Sequence, residues 1–222
     1  MTYYRRMWRE LKTDRTRVRR QPARGHYAAE EVYAILDEAL ICHVGFVHDG
    51  QPFVMPTIHA RADDTLYVHG SAGSRLIQVA GSGAPLCVTV TLLDGVVLAR
   101  SVFNHSMNYR SAVVIGRGRA VADPDEKLRA LRAVSEHVVP GRWNDARRPS
   151  AKELEATGLA ALRIAEASAK IRSGPPEDDE EDLALRVWAG VLPLRLEPGE
   201  PVRDPSLAPA IELPSYLKGW RR

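Results

Sequence analysis

The chain has 222 residues, 45% of them hydrophobic and 27% charged, with a formal net charge of +3 at pH 7. This is enough apolar side chain to fill a real core, which excludes a disordered or fibrous chain. There is no apolar run of about eighteen residues and no apolar stretch behind the N-terminal arginines, so the sequence predicts neither a membrane-spanning helix nor a secretory leader and places the chain in the cytoplasm.

Residues 1–24 form a basic arm, with nine Lys/Arg against Glu10 and Asp14. Tyr3, Tyr4, Met7, Trp8 and Leu11 are interleaved with the charges, and such a mixed arm is expected to pack on a neighbouring surface rather than to grip nucleic acid. Val32, Ile35, Leu36 and Ala39 then fall at helical spacing, with Glu30 and Glu31 in the first turn, predicting a helix over 28–40. From Ile41 the period becomes two. Breakers at HDGQP and ARADD divide the stretch to Gly70 into three antiparallel strands. SAGSRLIQVAGSGAP predicts a short helix ended by glycines, LCVTVTLLDGVVLA two strands or one bent one, and residues 110–121 another strand. About six strands within eighty residues predict a closed or nearly closed antiparallel barrel, since closure removes exposed edges.

Beyond Asp123 the pattern changes. An Asp-Pro pair followed by Leu128, Leu131, Val134 and Val138 on one stripe predicts an amphipathic helix. Residues 151–172 start as a helix and are expected to finish as a strand. The six consecutive acids at 177–182 predict a solvated loop, and Val187 to Leu196 a last strand before a proline-rich tail. With no linker or repeat, residues 25–222 are expected to form one domain, carrying a helical insertion at about 124–160. Cys42 and Cys87 sit in strand-like runs without CxxC or Cys/His spacing, which predicts buried thiols and neither zinc nor a disulfide.

No self-contained catalytic motif occurs: GxSxG, HExxH and GxxxxGK[ST] are all absent. Seven scattered histidines are on composition alone ordinary surface or core residues. HGSAGSRL, at 69–76, is more pointed. A strand delivering into glycines, serines and Arg75 suits a phosphate, which needs a fixed cation and several donors. The same residues also suit a plain turn in which a serine caps the helix. Asn108, Tyr109, Arg110 and Ser111 open a later strand with donors and an aromatic ring.

In order, QPFVMPTIHAR, DDTLYVHGSAGSRL, NYRSAVVIGRGRAV and EASAKIRSGPPEDDEEDLALRVWAGVLPL resemble the flavin-nucleotide-binding branch of the pyridoxamine 5'-phosphate oxidase-like split-barrel family, over about residues 25–220. The resemblance implies a mainly β fold, a six-stranded antiparallel Greek-key barrel with peripheral helices, and a homodimer with FMN in clefts between the subunits. It further implies that Val54, Met55, Pro56, Thr57 and His59 run beside the flavin ring, and that His69, Ser71, Ser74 and Arg75 hold the ribityl phosphate. Tyr109, Arg110 and Ser111 would stand near the cofactor, with Trp188 reaching it from the other subunit. The family's oxidase ends in an Arg-x-His segment that grips its substrate, whereas this chain has no histidine after His137, which argues against pyridoxamine phosphate as substrate. The expected activity is an FMN-dependent oxidoreductase acting on a small organic molecule. The alternative is a non-catalytic flavin, deazaflavin or haem carrier or sensor, and no metal site is expected.

Overall fold

A computed structural model of the chain describes residues 9–221. Its elements in chain order are β1 (Gly25–His26), α1 (Ala29–Glu38), β2 (Ile41–His48), β3 (Gln51–Ala62), β4 (Thr65–Ser71), α2 (Arg75–Gly81), β5 (Pro85–Leu98), β6 (Ser106–Ala120), α3 (Pro124–Val138), α4 (Arg142–Asp145), α5 (Ala151–Ala156), β7 (Thr157–Arg163), β8 (Glu166–Arg172) and β9 (Gly190–Pro193). Asp49 and Gly50, both at positive φ, make the tight turn between β2 and β3, the two-residue hairpin that an Asp-Gly pair favours.

Following the hydrogen-bonded neighbours round, β2–β3–β4–β7–β6–β5 returns to β2, with every pair antiparallel. This is the expected six-stranded barrel. It splits along β6, which pairs with β8 through Tyr109–Ile115 and with β7 through Gly118–Ala120. The remaining strands are additions, β1 on β8 and β9 on β5. Alternate residues of the strands fill the interior: Val44, Val88, Val90, Ala112 and Val114 are essentially inaccessible, and α1 contributes Val32, Ile35 and Leu36 to the same core. The second helix, α2, buries Leu76, Ile77, Val79 and Ala80 against β2, β4, β6 and β7. That packing fixes where α2 begins, and therefore where Arg75 stands.

Of the two readings of LCVTVTLLDGVVLA, the single bent strand is the one found, with an irregularity between Leu93 and Gly95. Several expectations are corrected. The helical insertion ends at Ala156, because residues 157–163 pair with β4. Alanines at 160, 161, 167 and 169 gave that stretch a helical composition, yet all four are buried in strands, so tertiary pairing overrides propensity here. The last strand is limited to Gly190–Pro193. Cys42 is buried, but Cys87 is exposed, since it lies opposite Gly45 on the outer face of the sheet. The acidic run is not wholly solvated, because the Asp178 side chain is 2% exposed. The basic arm from residue 9 packs on the domain: Leu11 is buried, and Arg9, Arg15 and Arg24 pair with Asp64, Glu166 and Glu177. Tyr3, Tyr4, Met7 and Trp8 lie outside the described residues.

Helix α5 is held by a capping box, in which Ser150 and Glu153 satisfy each other's backbone N–H groups. The Arg147 guanidinium first, and the Ser150 backbone and side chain next, hold the Glu153 carboxyl down to about 2, below its ordinary 4.5. A depressed carboxyl contributes stability that is complete above its unfolded value and is lost as pH falls through the folded one. The melting-temperature gap between the native chain and Glu153→Gln is therefore expected to be constant above about pH 5 and to close towards pH 2. A gap that widened on acidification would contradict this cap.

Candidate functional site

Strand β3 is twelve residues long, but β4 covers only its last four, His59–Ala62. From Gln51 to Ile58 it has β2 on one side and no strand on the other among the described residues. Pro52 and Pro56 share this stretch, and proline is tolerated in a sheet where its missing N–H faces an open edge. Backbone groups alternate sides along a strand, so Val54, between the two prolines, turns its N–H and C=O to that same edge. The sequence thus leaves a length of polar backbone unpaired beside Met55 and Thr57.

Directly opposed residues share a face. Phe53, Met55 and Thr57 lie opposite Phe46, Val44 and Cys42 and so point to the barrel side, whereas Val54, Pro56 and Ile58 point out with Ile41, His43 and Val47. Phe53 stacks on buried Phe46 with centroids 5.6 Å apart. Over the other side of Phe53 stands Arg75, its guanidinium carbon 4.5 Å from the ring centroid. Arg75 is exposed and has no carboxylate partner among the described residues, a fixed cation held on an aromatic platform. Before it, Ser74 caps α2 by accepting from the Ile77 N–H, which leaves its own O–H free to donate. Ser71 is exposed, and a Cβ added at Gly73 would meet nothing within 4 Å, so the backbone there is open to a ligand. The turn is therefore both capped, as one sequence reading had it, and open, as the other required.

His69 precedes this turn. Burial pushes its pKa below the ordinary histidine value, and its Nδ1 is enclosed without a hydrogen-bond partner. His59 departs from expectation: it is fully buried, with Nε2 2.9 Å from the Leu36 carbonyl and its ring 4.9 Å from that of His137. Once β4 joins the sheet at residue 59, the strand turns from open edge to core, so His59 supports α1 and does not face the edge.

The other expected residues form a second group. Arg110 is bound by both oxygens of Glu38 and both of Asp94. The bonds to Glu38, then those to Asp94, raise its pKa far above the ordinary arginine range. Its charge is committed to those carboxylates, which with Leu40, Leu92 and Leu194 line a cleft of about 700 Å³. Ser111 donates to the Lys170 carbonyl, and Tyr109 lies between Leu93 and Arg172. Trp188 is 66% exposed. Strands β2 and β5 separate β3 from β6, a distance of roughly 14 Å at normal strand spacing. The expected site residues therefore fall into separate groups within one chain, with Met55, Thr57, Ser71, Ser74 and Arg75 around Phe53, and Tyr109–Ser111 on β6 apart from them. Phe53 and the carboxylates around Arg110 escaped the sequence reading. Alternation along β3 was available to find Phe53, but nothing local relates Glu38 or Asp94 to Arg110.

Among the described residues no three His, Cys, Asp or Glu converge on a possible metal position, and no helix is long and apolar enough to cross a membrane.

A six-stranded antiparallel barrel that opens where one strand changes partners, leaving part of β3 without a second neighbour among the described residues, defines a split-barrel protein. A family model described as pyridoxamine 5'-phosphate oxidase matches residues 28–171, and the chain belongs to that family. The flavocytochrome Anf3 from Azotobacter vinelandii is similar in structure, with a TM-score of 0.90, 43% identity and coverage of 96% of this chain and 99% of that one. The FAD and haem binding protein from Mycobacterium smegmatis gives a TM-score of 0.85 and 38% identity, covering 89% of this chain and 97% of the other. A search of curated proteins found no match.

Proposed function

We propose that this protein is a cytoplasmic flavin-dependent oxidoreductase that works on a small organic substrate as a homodimer. The observation that carries this reading is Arg75, whose guanidinium has no carboxylate partner among the described residues and is propped on Phe53 at 4.5 Å beside the open edge of β3. Such a cation with serine hydroxyls and open backbone around it fits a ribityl phosphate, which FMN and FAD share. The sequence resemblance favours FMN and the Mycobacterium relative is an FAD protein, so titration of the purified chain with each distinguishes them.

In this reading Arg75 binds the phosphate, Ser71 and Ser74 donate to it, and the backbone at Val54 hydrogen-bonds the polar rim of the ring. Arg110, locked between two carboxylates, shapes the second group, on β6, without offering it a free charge. The flavin, when bound, supplies hydride and single-electron transfer; no acid or base of the chain is assigned to the reaction. The dimer reading is supported by the separation of the two groups, read as half-sites, and by the outer sheet face, where Ile41, Val47, Val54 and Leu93 are each more than half exposed. Two copies related by a two-fold axis would bury that face and bring the half-site of one against that of the other. Protein that stays colourless and monomeric after addition of FMN and FAD would refute the proposal.

A second reading is favoured by both structural relatives, one a flavocytochrome and the other a haem protein. An iron ligand must be a neutral imidazole, and burial holds His69 in that state. Added haemin is then expected to give a Soret band that His69→Ala abolishes while flavin binding persists; a band unchanged in His69→Ala removes His69 from the haem reading.

A further inference from the structure

The cleft beside Arg110 has two walls of different origin. One belongs to the barrel, where Leu40 follows α1 and Leu92 and Asp94 lie on β5. The other is the C-terminal segment, which enters the cleft twice, at residues 194–198 and again at Arg221. Both passages are fixed to the domain. The Leu194 N–H donates to the Asp94 carbonyl at 3.1 Å, which carries the pairing of β9 with β5 on into the cleft. Further along, Tyr216 lies against Gly141, and its hydroxyl donates to Asp145 and accepts from Arg142 Nη1 at 3.0 Å, so the stretch that leads to Arg221 is tied to α4.

Charge in this cleft is balanced but segregated. Arg110, Arg195 and Arg221 line it, against Glu38, Asp94 and Glu197. Glu38 and Asp94 are both spent on Arg110. Arg195 and Arg221 form no ion pair among the described residues, with Glu197 or with any other acid, and Arg221 Nη1 donates only to the Trp220 carbonyl, at 3.0 Å. The C-terminal wall therefore brings two uncompensated guanidinia, distant in sequence, to one space whose other groups include Leu40, Leu92 and Leu194. Like charges gathered beside apolar walls repel one another, and an anion set between them turns that repulsion into attraction. A guanidinium fork matches a carboxylate in shape as well as in charge. The volume of about 700 Å³ is that of a small-molecule site.

We propose that this cleft binds a small organic carboxylate with an apolar body, its anionic end held by Arg195 and Arg221 and its body laid on the three leucines. None of the lining residues belongs to the group around Phe53 and Arg75, so this site is distinct from the phosphate cradle and does not depend on which flavin fills that cradle. The carboxylates around Arg110 outnumber it two to one, and that surplus negative charge turns away a ligand that is anionic at both ends. The C-terminal segment thereby becomes the part of the chain that selects the ligand.

Ligand-observed NMR on the full chain with benzoate, benzamide and benzamidine, probes of one shape and different charge, tests this. Benzoate is expected to bind most tightly, and Arg195→Gln and Arg221→Gln are each expected to weaken it about tenfold. Arg132→Gln, which removes an exposed arginine of α3, is expected to leave benzoate binding unchanged, as is the addition of FMN. Both cleft arginines are exposed, so the variants should keep the native urea midpoint; where one does not, Arg→Lys at that position takes its place, with a smaller loss expected. Tighter binding of benzamidine, an equal loss in Arg132→Gln, or no binding of either benzoate or phenylacetate would overturn the proposal. Displacement of benzoate by FMN would overturn it as well, by assigning the cleft to the flavin.

Discussion

Replacing Arg75 with alanine is expected to weaken flavin binding by ~10- to 150-fold, the equivalent of about 1.5–3 kcal/mol for a charge-assisted hydrogen bond. Two features make the effect large. Arg75 has no carboxylate among the described residues to compete for it, and its stacking on Phe53 restricts the guanidinium before any ligand arrives, so little order remains to be imposed on binding. Arg75→Lys keeps the charge but loses the planar fork and most of the stacking, and should fall between alanine and the native residue. The fold should change little in either case, because Arg75 is exposed and its contact with Phe53 is an exposed cation–π pair, worth about 0.5–1 kcal/mol. Equilibrium dialysis or fluorescence titration gives the binding constants and a urea melt of the flavin-free protein gives the stability. Equal flavin affinity in Arg75→Ala would remove the residue from the site.

The second large effect concerns Gly118, where α2 crosses β6. A Cβ built on Gly118 would stand 2.1 Å from the Ala80 carbonyl oxygen and 2.9 Å from Leu86 Cδ1. A backbone carbonyl cannot rotate away as a side chain can, so α2 would have to lift off the barrel. Gly118→Val is expected to destabilise the protein by at least ~3 kcal/mol, at the upper end for overpacking a core. Because α2 opens with Arg75, any molecules that still fold should also bind flavin poorly. Gly73→Ala is the control, since a Cβ there meets nothing within 4 Å; its urea midpoint should be close to the native one. A Gly118→Val midpoint close to native would show that α2 is not held against β6 as described.

The two changes bracket what was legible beforehand. The requirement at Gly118 was invisible, because GRG inside a strand carries no mark of the helix that comes to rest on it. Arg75 was visible as a candidate, but HGSAGSRL suited a capped turn equally well. The deciding partner, Phe53, is 22 positions away in the chain, and only the hairpin of β2 and β3 together with the packing of α2 sets it beneath the guanidinium. His59 is the converse case, fully buried where the sequence suggested an open strand. It belongs to the same alternating run as Thr57, and nothing in that run announces that β4 joins at residue 59 and closes the edge.

Local chemistry in the sequence was sufficient for the strand meander from Ile41, for the helices at 29–38 and 124–138, and, through the order of its motifs, for the barrel family. Period and turn residues act over a few neighbours, and those signals survive without knowledge of the fold. Which strand edge stays open, which arginines are neutralised and which acids are buried depend on contacts between distant segments. Arg75 and Arg110 look alike in the sequence, yet the tertiary structure sets one on an aromatic ring, without a carboxylate partner among the described residues, and locks the other between Glu38 and Asp94. Charge in a folded protein is a property of the partners that packing provides, and a residue's letter does not carry them.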